Sequence, residues 1–559
     1  MKPWFVRIGM LLGLSMSGSV CGVEMGVTEV SVAAFGAVAD DGRDDGLAVR
    51  RAVEACRKVA RPCLVFPPGK YYFRGDRTRS MSHVDVNDFA EITIRGENTE
   101  LVGCGTKTLL RFERCGKVTV TGLDVDWDPL PFTAGRVVAA EDGSFDVEVL
   151  GEHPLREDTP VQAVTVVDGE THLPIRTTAR NHYQLTQKGY SKKAQIAGSN
   201  RLRIFVSPRA ESLRSTDQQR VPAVGSFVVA WFRVRAGGAF RPFACGEVRF
   251  DNCRVFATAG MGFAFNACDS VSLHGCQVVP KDGRWLSSTV DATHCNMVRK
   301  KVEYEDCRFE GMGDDAINVH GMYSMVHERS GPRTIVLRGW KSIFDGPVSD
   351  DFSGPAQNSL RVGESLEFST MENPLVAAFM STITESIPVE VRGAMLKRIT
   401  VDRDLPEFVQ ARSIVADTAD IPQTVIRNCV FRGGRGIGVR LKTRNAVVEN
   451  CTFEDVNGAG VWITCDAAVD HESISARDVT IRGNTFRRTS PAVSSSAGRT
   501  IVYPFVHENV TIENNRIEDC RGTALLIRSV VGGLIRNNTI ERSAPEPIRV
   551  SLSRGVRVE

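Results

Sequence analysis

The chain has 559 residues, 69 basic against 67 acidic side chains for a net charge of +2, and 42 % hydrophobic, 24 % charged and 7 % aromatic residues. Near-neutral charge excludes the concentrated basic face that nucleic-acid binding needs, and the composition excludes both a disordered chain and an integral membrane protein. The 15 cysteines would suit a disulfide framework, and the length would suit three or four domains of ~150 residues unless a repeat absorbs it.

The opening MKPWFVRIGMLLGLSMSGSVCG places Lys2 and Arg7 ahead of an apolar run from Ile8 to Val20 and then small residues, the layout of a secretory signal peptide over 1–22. It is too short for a spanning helix, and no later segment reaches the ~18 uninterrupted apolar residues of one. The expectation is export without a membrane span, to the periplasm, the outer surface or the medium. Cys21 is the one position for lipidation, although Val20 before it fits that pattern poorly.

Residues 23–135 read as a cap and first rungs. LAVRRAVEACRKV carries Leu47, Val49, Ala52, Val53 and Cys56 at helical spacing, and LVFPPGKYYF reads as strand, Pro-Pro-Gly turn and strand. A helix that feeds strands suits the covered end of a solenoid, and this stretch resembles the start of pectin-lyase-like right-handed parallel β-helices. The acidic run Asp40, Asp41, Asp44 and Asp45 reads as turn and N-cap chemistry.

A repeat then governs the chain. VRFDNCRV, VSLHGCQV, VEYEDCRF, TVIRNCVF, AVVENCTF, VTIRGNTF, VTIENNRI and GLIRNNTI share alternating apolar residues followed by Asn, Asp or Gly and then Cys or Asn. The Cys or Asn falls at 253, 276, 307, 429, 451, 484, 515 and 538, so the shortest intervals are 22 and 23 residues, one turn of a β-solenoid with insertions in its loops. Cysteines recurring at one rung position describe a buried stack of small side chains that needs no disulfide. Strand-rich gaps at 136–230 and 326–422 read as small antiparallel β-barrels inserted into the coil. The rungs occupy 231–325 and 423–559, and the fold class is all-β.

Chemistry concentrates in GRWLSSTVDATHCNMVRKKVEYEDCRFEGMGDDAINVHGMY. Asp291 and Asp314 are 23 residues apart, one bare rung, although the rung from Cys276 to Cys307 holds eight extra residues. If all eight form a loop around KDGRWLSS, the two aspartates occupy the same angular position on strands ~4.8 Å apart. The glycines of GMGDD would let Asp315 turn into the same cleft. Carboxylates brought together differ in proton affinity, which supplies an acid and a base for one glycosidic bond. Counting eleven from the ladder cysteine gives Asn318, Arg440 and Trp462, and counting thirteen gives His320, Lys442 and Thr464, each trio on one sheet face.

The segments DVDWDPLPFTAG (124–135), TVDATH (289–294), EGMGDDAINVHGMY (310–323), GRGIGVRLKTRNAVVENCTF (434–453) and ITCDAAVDHESISARDVTI (463–481) resemble glycoside hydrolase family 110, exo-acting α-1,3-galactosidases. The resemblance implies a β-helix with inserted β-barrels, inversion at the anomeric carbon, terminal α-1,3-linked galactose as substrate in linear and branched blood-group-B-type structures, no cofactor and no metal, and a homodimer. It makes Asp291, Asp314 and Asp315 catalytic, with Asp314 the general acid and Asp291 with Asp315 the base by analogy with polygalacturonases. Arg435, Asp466 and Glu472 match positions that contact galactose, and with His294, Asn318, His320, Arg440, Lys442 and Trp462 complete the expected sugar-binding set. The resembled pattern has aromatic residues followed by Glu-Ser-Gly where this chain has Asp470, His471 and Glu472-Ser473-Ile474. Two other readings stand beside it: a polysaccharide lyase or polygalacturonase-like enzyme on the same scaffold, and a non-catalytic carbohydrate-binding solenoid, against which the convergent acids count.

Overall fold

The computed structural model describes residues 26–559 apart from 76–80, 158, 176–181, 186–191, 208–220, 233–236 and 340–359; the expected signal peptide with Cys21 lies outside the described residues. The all-β expectation holds. Each rung carries three strands, as in Glu247–Asp251, Arg254–Val255 and Phe263–Asn266. Val118, Val248, Val271 and Val302 pair in parallel in one column, and Val120, Phe250, Leu273 and Tyr304 in the next. All eight are buried, because residues two apart share a strand face.

The repeat's signature has a physical cause at its turn. The residue before each ladder position is left-handed, with φ from 51° at Asn252 to 64° at Gly483, a conformation that Gly, Asn and Asp adopt at least cost. The ladder residue then points inward and, at every position but Cys429, bonds a carbonyl of the preceding rung. The thiols of Cys276 and Cys307 donate to Phe250 O and Leu273 O at 3.5 and 3.4 Å, and the amides of Asn484 and Asn515 to Val448 O and Ile481 O at 2.9 Å each. Cys and Asn therefore do one job. The cysteines among the described residues are free thiols, all buried except Cys104.

The helix Gly46–Cys56 caps the first rung with Ala48, Val49, Ala52, Val53 and Cys56, while Leu47, 52 % exposed, falls off the buried stripe. Asp40, Asp44 and Asp45 accept backbone amides from Lys70, Arg74 and Tyr72 at 3.1, 3.0 and 2.9 Å, lashing the cap to the next strand.

The first insertion, between Phe132 and Trp231, is a seven-stranded antiparallel sheet around its own core of Val137, Phe145, Val164, Leu202 and Ile204. The second closes six strands into an antiparallel barrel. The sheet that carries the site is built from β1 (Phe263–Asn266), β2 (Thr293–Asn296), β3 (Ile317–Arg329), β4 (Val439–Leu441), β5 (Val461–Cys465) and β6 (Val493–Ala497). The first half of β3 pairs in parallel with β2 and β4, and its second half enters the barrel.

Inside the coil, Phe309, Phe431, Phe453 and Phe486 stack with ring centroids 5.5, 4.5 and 4.7 Å apart. Phe453→Ala is expected to cost about 3–5 kcal/mol through lost burial and a residual cavity. Urea denaturation of the full chain reads this as a lowered midpoint; an unchanged midpoint would contradict a tightly packed stack.

Candidate active site

β2 and β3 pair Thr293 with Ile317 and His294 with Asn318, which sets Asp291 opposite Asp315 rather than opposite Asp314. Asp314 lies beside Val290, whose carbonyl accepts the Asp314 amide at 3.2 Å. The same-position reading of Asp291 and Asp314 is thus one residue out. Seventeen residues separate Cys276 from Thr293 and ten separate Cys307 from Ile317, so the loop ahead of Asp291 holds seven extra residues and not eight. The three carboxylates nevertheless converge, one oxygen of each lying within 4.8 Å of the others. That is tighter than the ~6.5–9.5 Å usual between acid and base of inverting pairs.

Their environments differ. Asp314 is 33 % exposed on its side chain, and its Oδ1 faces Arg435 Nη2 at 2.9 Å. Asp291 and Asp315 are buried. Asp291 Oδ1 accepts the Asp315 amide at 3.2 Å, and Asp315 Oδ1 accepts the Ile437 amide at 2.8 Å. Burial pushes the proton affinity of both above the ordinary carboxylate range, with a neighbouring carboxylate adding to it: Asp315 for Asp291 and Asp314 for Asp315. Gly436 is required here, since a Cβ on it would stand 2.5 Å from Asp315 Oδ1.

The expected row of Asn318, Arg440 and Trp462 is present in register across β3, β4 and β5. Arg440 lies over the Trp462 ring at 5.0 Å, 3.5 Å from Asp315 Oδ2 and 3.0 Å from Asp470 Oδ2. Buried Lys442 donates to Asn318 Oδ1 at 2.8 Å. Its Nζ also lies 2.5 Å from Glu472 Oε2 in a buried ion pair. Burial pushes the Glu472 carboxyl upward, yet His320, Lys442 and Arg440 outweigh it and hold Glu472 well below its usual range. Arg440 Nε, Thr464 Oγ1 and Ser473 Oγ are buried atoms without a hydrogen-bond partner among the described residues.

Three expected sugar contacts sit differently. Asp466 spends its carboxylate on the backbone amides of Val469, Asp470 and Arg499 at 2.6, 2.8 and 3.2 Å, which shapes the loop before Glu472. His294 and His320, 3 % and 1 % exposed, bond each other through their Nε2 atoms at 2.7 Å, and His294 Nδ1 bonds Asp291 Oδ2 at 2.5 Å.

Two contributors had no signal in the repeat. Trp231 of the first insertion underlies the Arg435 guanidinium at 5.8 Å, and Arg499 holds Asp470 through both carboxylate oxygens at 2.9 and 2.8 Å. Each comes from an insertion or loop whose place in space no rung count predicts.

Replacing Lys442 by Met strands Glu472 as a buried charge and is expected to destabilise the fold by about 3–5 kcal/mol, whereas Lys442→Met combined with Glu472→Met loses much less. Urea midpoints of the two variants check this, and an equal loss in both would rule out the pair as the cause.

Residues 473–559 match the family model described as a right handed beta helix region. The chain is 24 % identical over 555 residues to Alpha-1,3-galactosidase B of Bacteroides thetaiotaomicron, covering 92 % of this chain and 86 % of that protein. It is 25 % identical over 593 residues to Alpha-1,3-galactosidase A of Streptomyces avermitilis, covering 96 % and 92 %. An exopolygalacturonase structure from Thermotoga maritima aligns at a TM-score of 0.44 and 12 % identity, over 95 % of this chain and 92 % of that one. The resemblance read from the motifs is borne out, since the chain is similar over nearly all its length to α-1,3-galactosidases and its last rungs carry the β-helix repeat.

Proposed function

We propose that the protein is an exported, inverting exo-glycosidase that releases terminal α-1,3-linked galactose from oligosaccharides or glycans, linear and branched. The observation that carries this reading is the convergence of Asp291, Asp314 and Asp315 within 4.8 Å, one of them open to solvent beside an arginine and two buried. By analogy with the polygalacturonase trio we assign the half-exposed Asp314 as the general acid, on the side open to a leaving group and facing Arg435. Asp291 and Asp315 hold the attacking water. The water oxygen bonds to C1 as its proton passes to this buried pair, the C1–O bond breaks, and the Asp314 proton goes to the leaving oxygen.

The unpartnered Arg440 Nε, Thr464 Oγ1 and Ser473 Oγ are groups that hydroxyls of a sugar would satisfy, since buried polar atoms left unpaired cost about 1–3 kcal/mol each. Trp462 supplies an apolar face beside them. The neutral overall charge fits a neutral sugar.

Incubation with an α-1,3-galactobioside, followed by proton NMR, tests the reading. β-Galactose is expected as the first product; α-galactose first would overturn inversion, and an unsaturated uronate from pectin would favour a lyase. Asp314→Asn is expected to lower kcat by about 10²–10⁴-fold with the fold intact, and near-normal turnover would remove Asp314 from the mechanism. Because the base must be ionised and burial raises Asp291 and Asp315, kcat/KM is expected to fall on acidification through a limb above the ordinary carboxylate range. A limb within that range would separate the base from this pair.

A further inference from the structure

We propose that His294, backed by His320, is a positioning residue that holds Asp291 as an oriented, ionised carboxylate by sharing a single proton along a buried file. The inference rests on the base role proposed above for Asp291, and its geometry follows from the hydrogen-bond capacity of each atom.

His320 Nδ1 lies 2.8 Å from Gly321 O. A carbonyl only accepts, so Nδ1 carries a hydrogen. Burial, with His294 and Lys442 nearby, lowers the proton affinity of His320 to about 3 despite Glu472, so the ring is neutral and its Nε2 offers a lone pair. His294 Nε2, 2.7 Å away, must then be the N–H. That leaves His294 Nδ1 facing Asp291 Oδ2 at 2.5 Å, with one hydrogen between them. On the nitrogen it makes His294 an imidazolium and Asp291 a carboxylate. The other Asp291 oxygen takes the Asp315 amide at 3.2 Å, so the plane of the group is fixed from both sides.

The surrounding charges leave this task to His294. From the next rung, Asp314 and Asp315 face Asp291 with like charge. Arg440 of β4 is engaged with Asp315 and Asp470, and Lys442 with Glu472 and Asn318. Glu472 approaches His320 Nε2 at 3.6 Å. On the preceding rung the residue opposite His294 is the uncharged Ala264.

His294, His320 and Glu472 also form a group that could hold a cation. The separation of the two Nε2 atoms fits a shared hydrogen better, since a tetrahedral zinc at ~2.0–2.1 Å from each would hold them about 3.3 Å apart. Lys442 already neutralises the carboxylate.

Kinetics of the full chain on the α-1,3-galactobioside across pH test the proposal. His294→Asn keeps an amide donor near the place of Nδ1 but loses the charge. Its kcat is expected to fall about 10²-fold with KM little changed, and its acid limb to move up by about 1–3 pH units, because removing a cation favours protonated Asp291. His320→Gln keeps an acceptor for His294, and its limb is expected to stay at the parent position. A His294→Asn limb that does not move would reduce the residue to packing and overturn the proposal. Nitrogen-15 histidine NMR gives a readout independent of turnover: His294 should carry hydrogen on both nitrogens and His320 on Nδ1 alone, with assignments from the two variants. A neutral His294, or one tightly bound metal ion per chain with loss of activity on chelation, would also overturn it. An inactive parent would fail the functional reading, and the NMR result would then stand or fall separately.

Discussion

Register between stacked rungs is the constraint on which everything else rests. Parallel strands about 4.8 Å apart fix each residue against its neighbour one turn on, and a one-residue slip would send every side chain to the other face. The turn keeps that register. A left-handed Asn, Asp or Gly precedes an inward Cys or Asn that, Cys429 apart, bonds the preceding rung, so a rung that departs from this pattern forfeits a buried hydrogen bond. Extra residues are therefore confined to loops, and the same register that aligns Val248 with Val271 brings Asp291 against Asp315.

The coil thereby holds a group of charges that no isolated hairpin would retain. Asp291, Asp315 and Glu472 are buried with Lys442 and the His294–His320 file, and the largely covered Arg440 lies beside them. Each buried ion costs several kcal/mol before it finds partners. With His294 charged, three anions meet three cations, and Asp314 with Arg435 and Asp470 with Arg499 close the rim as further pairs. Local neutrality lets carboxylates whose proton affinities are raised by burial share one cleft. The large apolar interior of the coil offsets the cost.

What the sequence revealed follows the same division. Asn318, Arg440 and Trp462 were legible because the stretch from ladder cysteine to sheet is the same length on successive rungs. Asp291 was misplaced by one because the extra residues of its rung are shared between two turns: seven precede β2 and the eighth lies between β2 and the strand beginning at Lys301. A count of rung length cannot apportion them. Asp466 looked like a ligand-facing acid in its motif, but an Asp at a loop entrance competes for nearby amides, and three amides claim it. Trp231 and Arg499 belong to segments outside the repeat, where only three-dimensional packing decides who meets whom.

The insertions complete the site from outside the coil. Trp231 of the first supports Arg435, and Leu173 of the same domain lies against Gly433, where a Cβ would stand 2.2 Å from its Cδ2. The second insertion is continuous with β3, so the strand that carries Asn318 and His320 also anchors the barrel, whose Met325, Leu375 and Ile414 pack with Ala467 and Ile474 behind the Glu472 loop. The rungs fix the three converging carboxylates, where a register change would be ruinous. The insertions and the Asp470 loop build the wall beyond Asp314, where length and composition vary without disturbing any rung. The converging carboxylates and the wall beside them thus depend on separately adjustable parts, with Asp470 and His471 on the adjustable side.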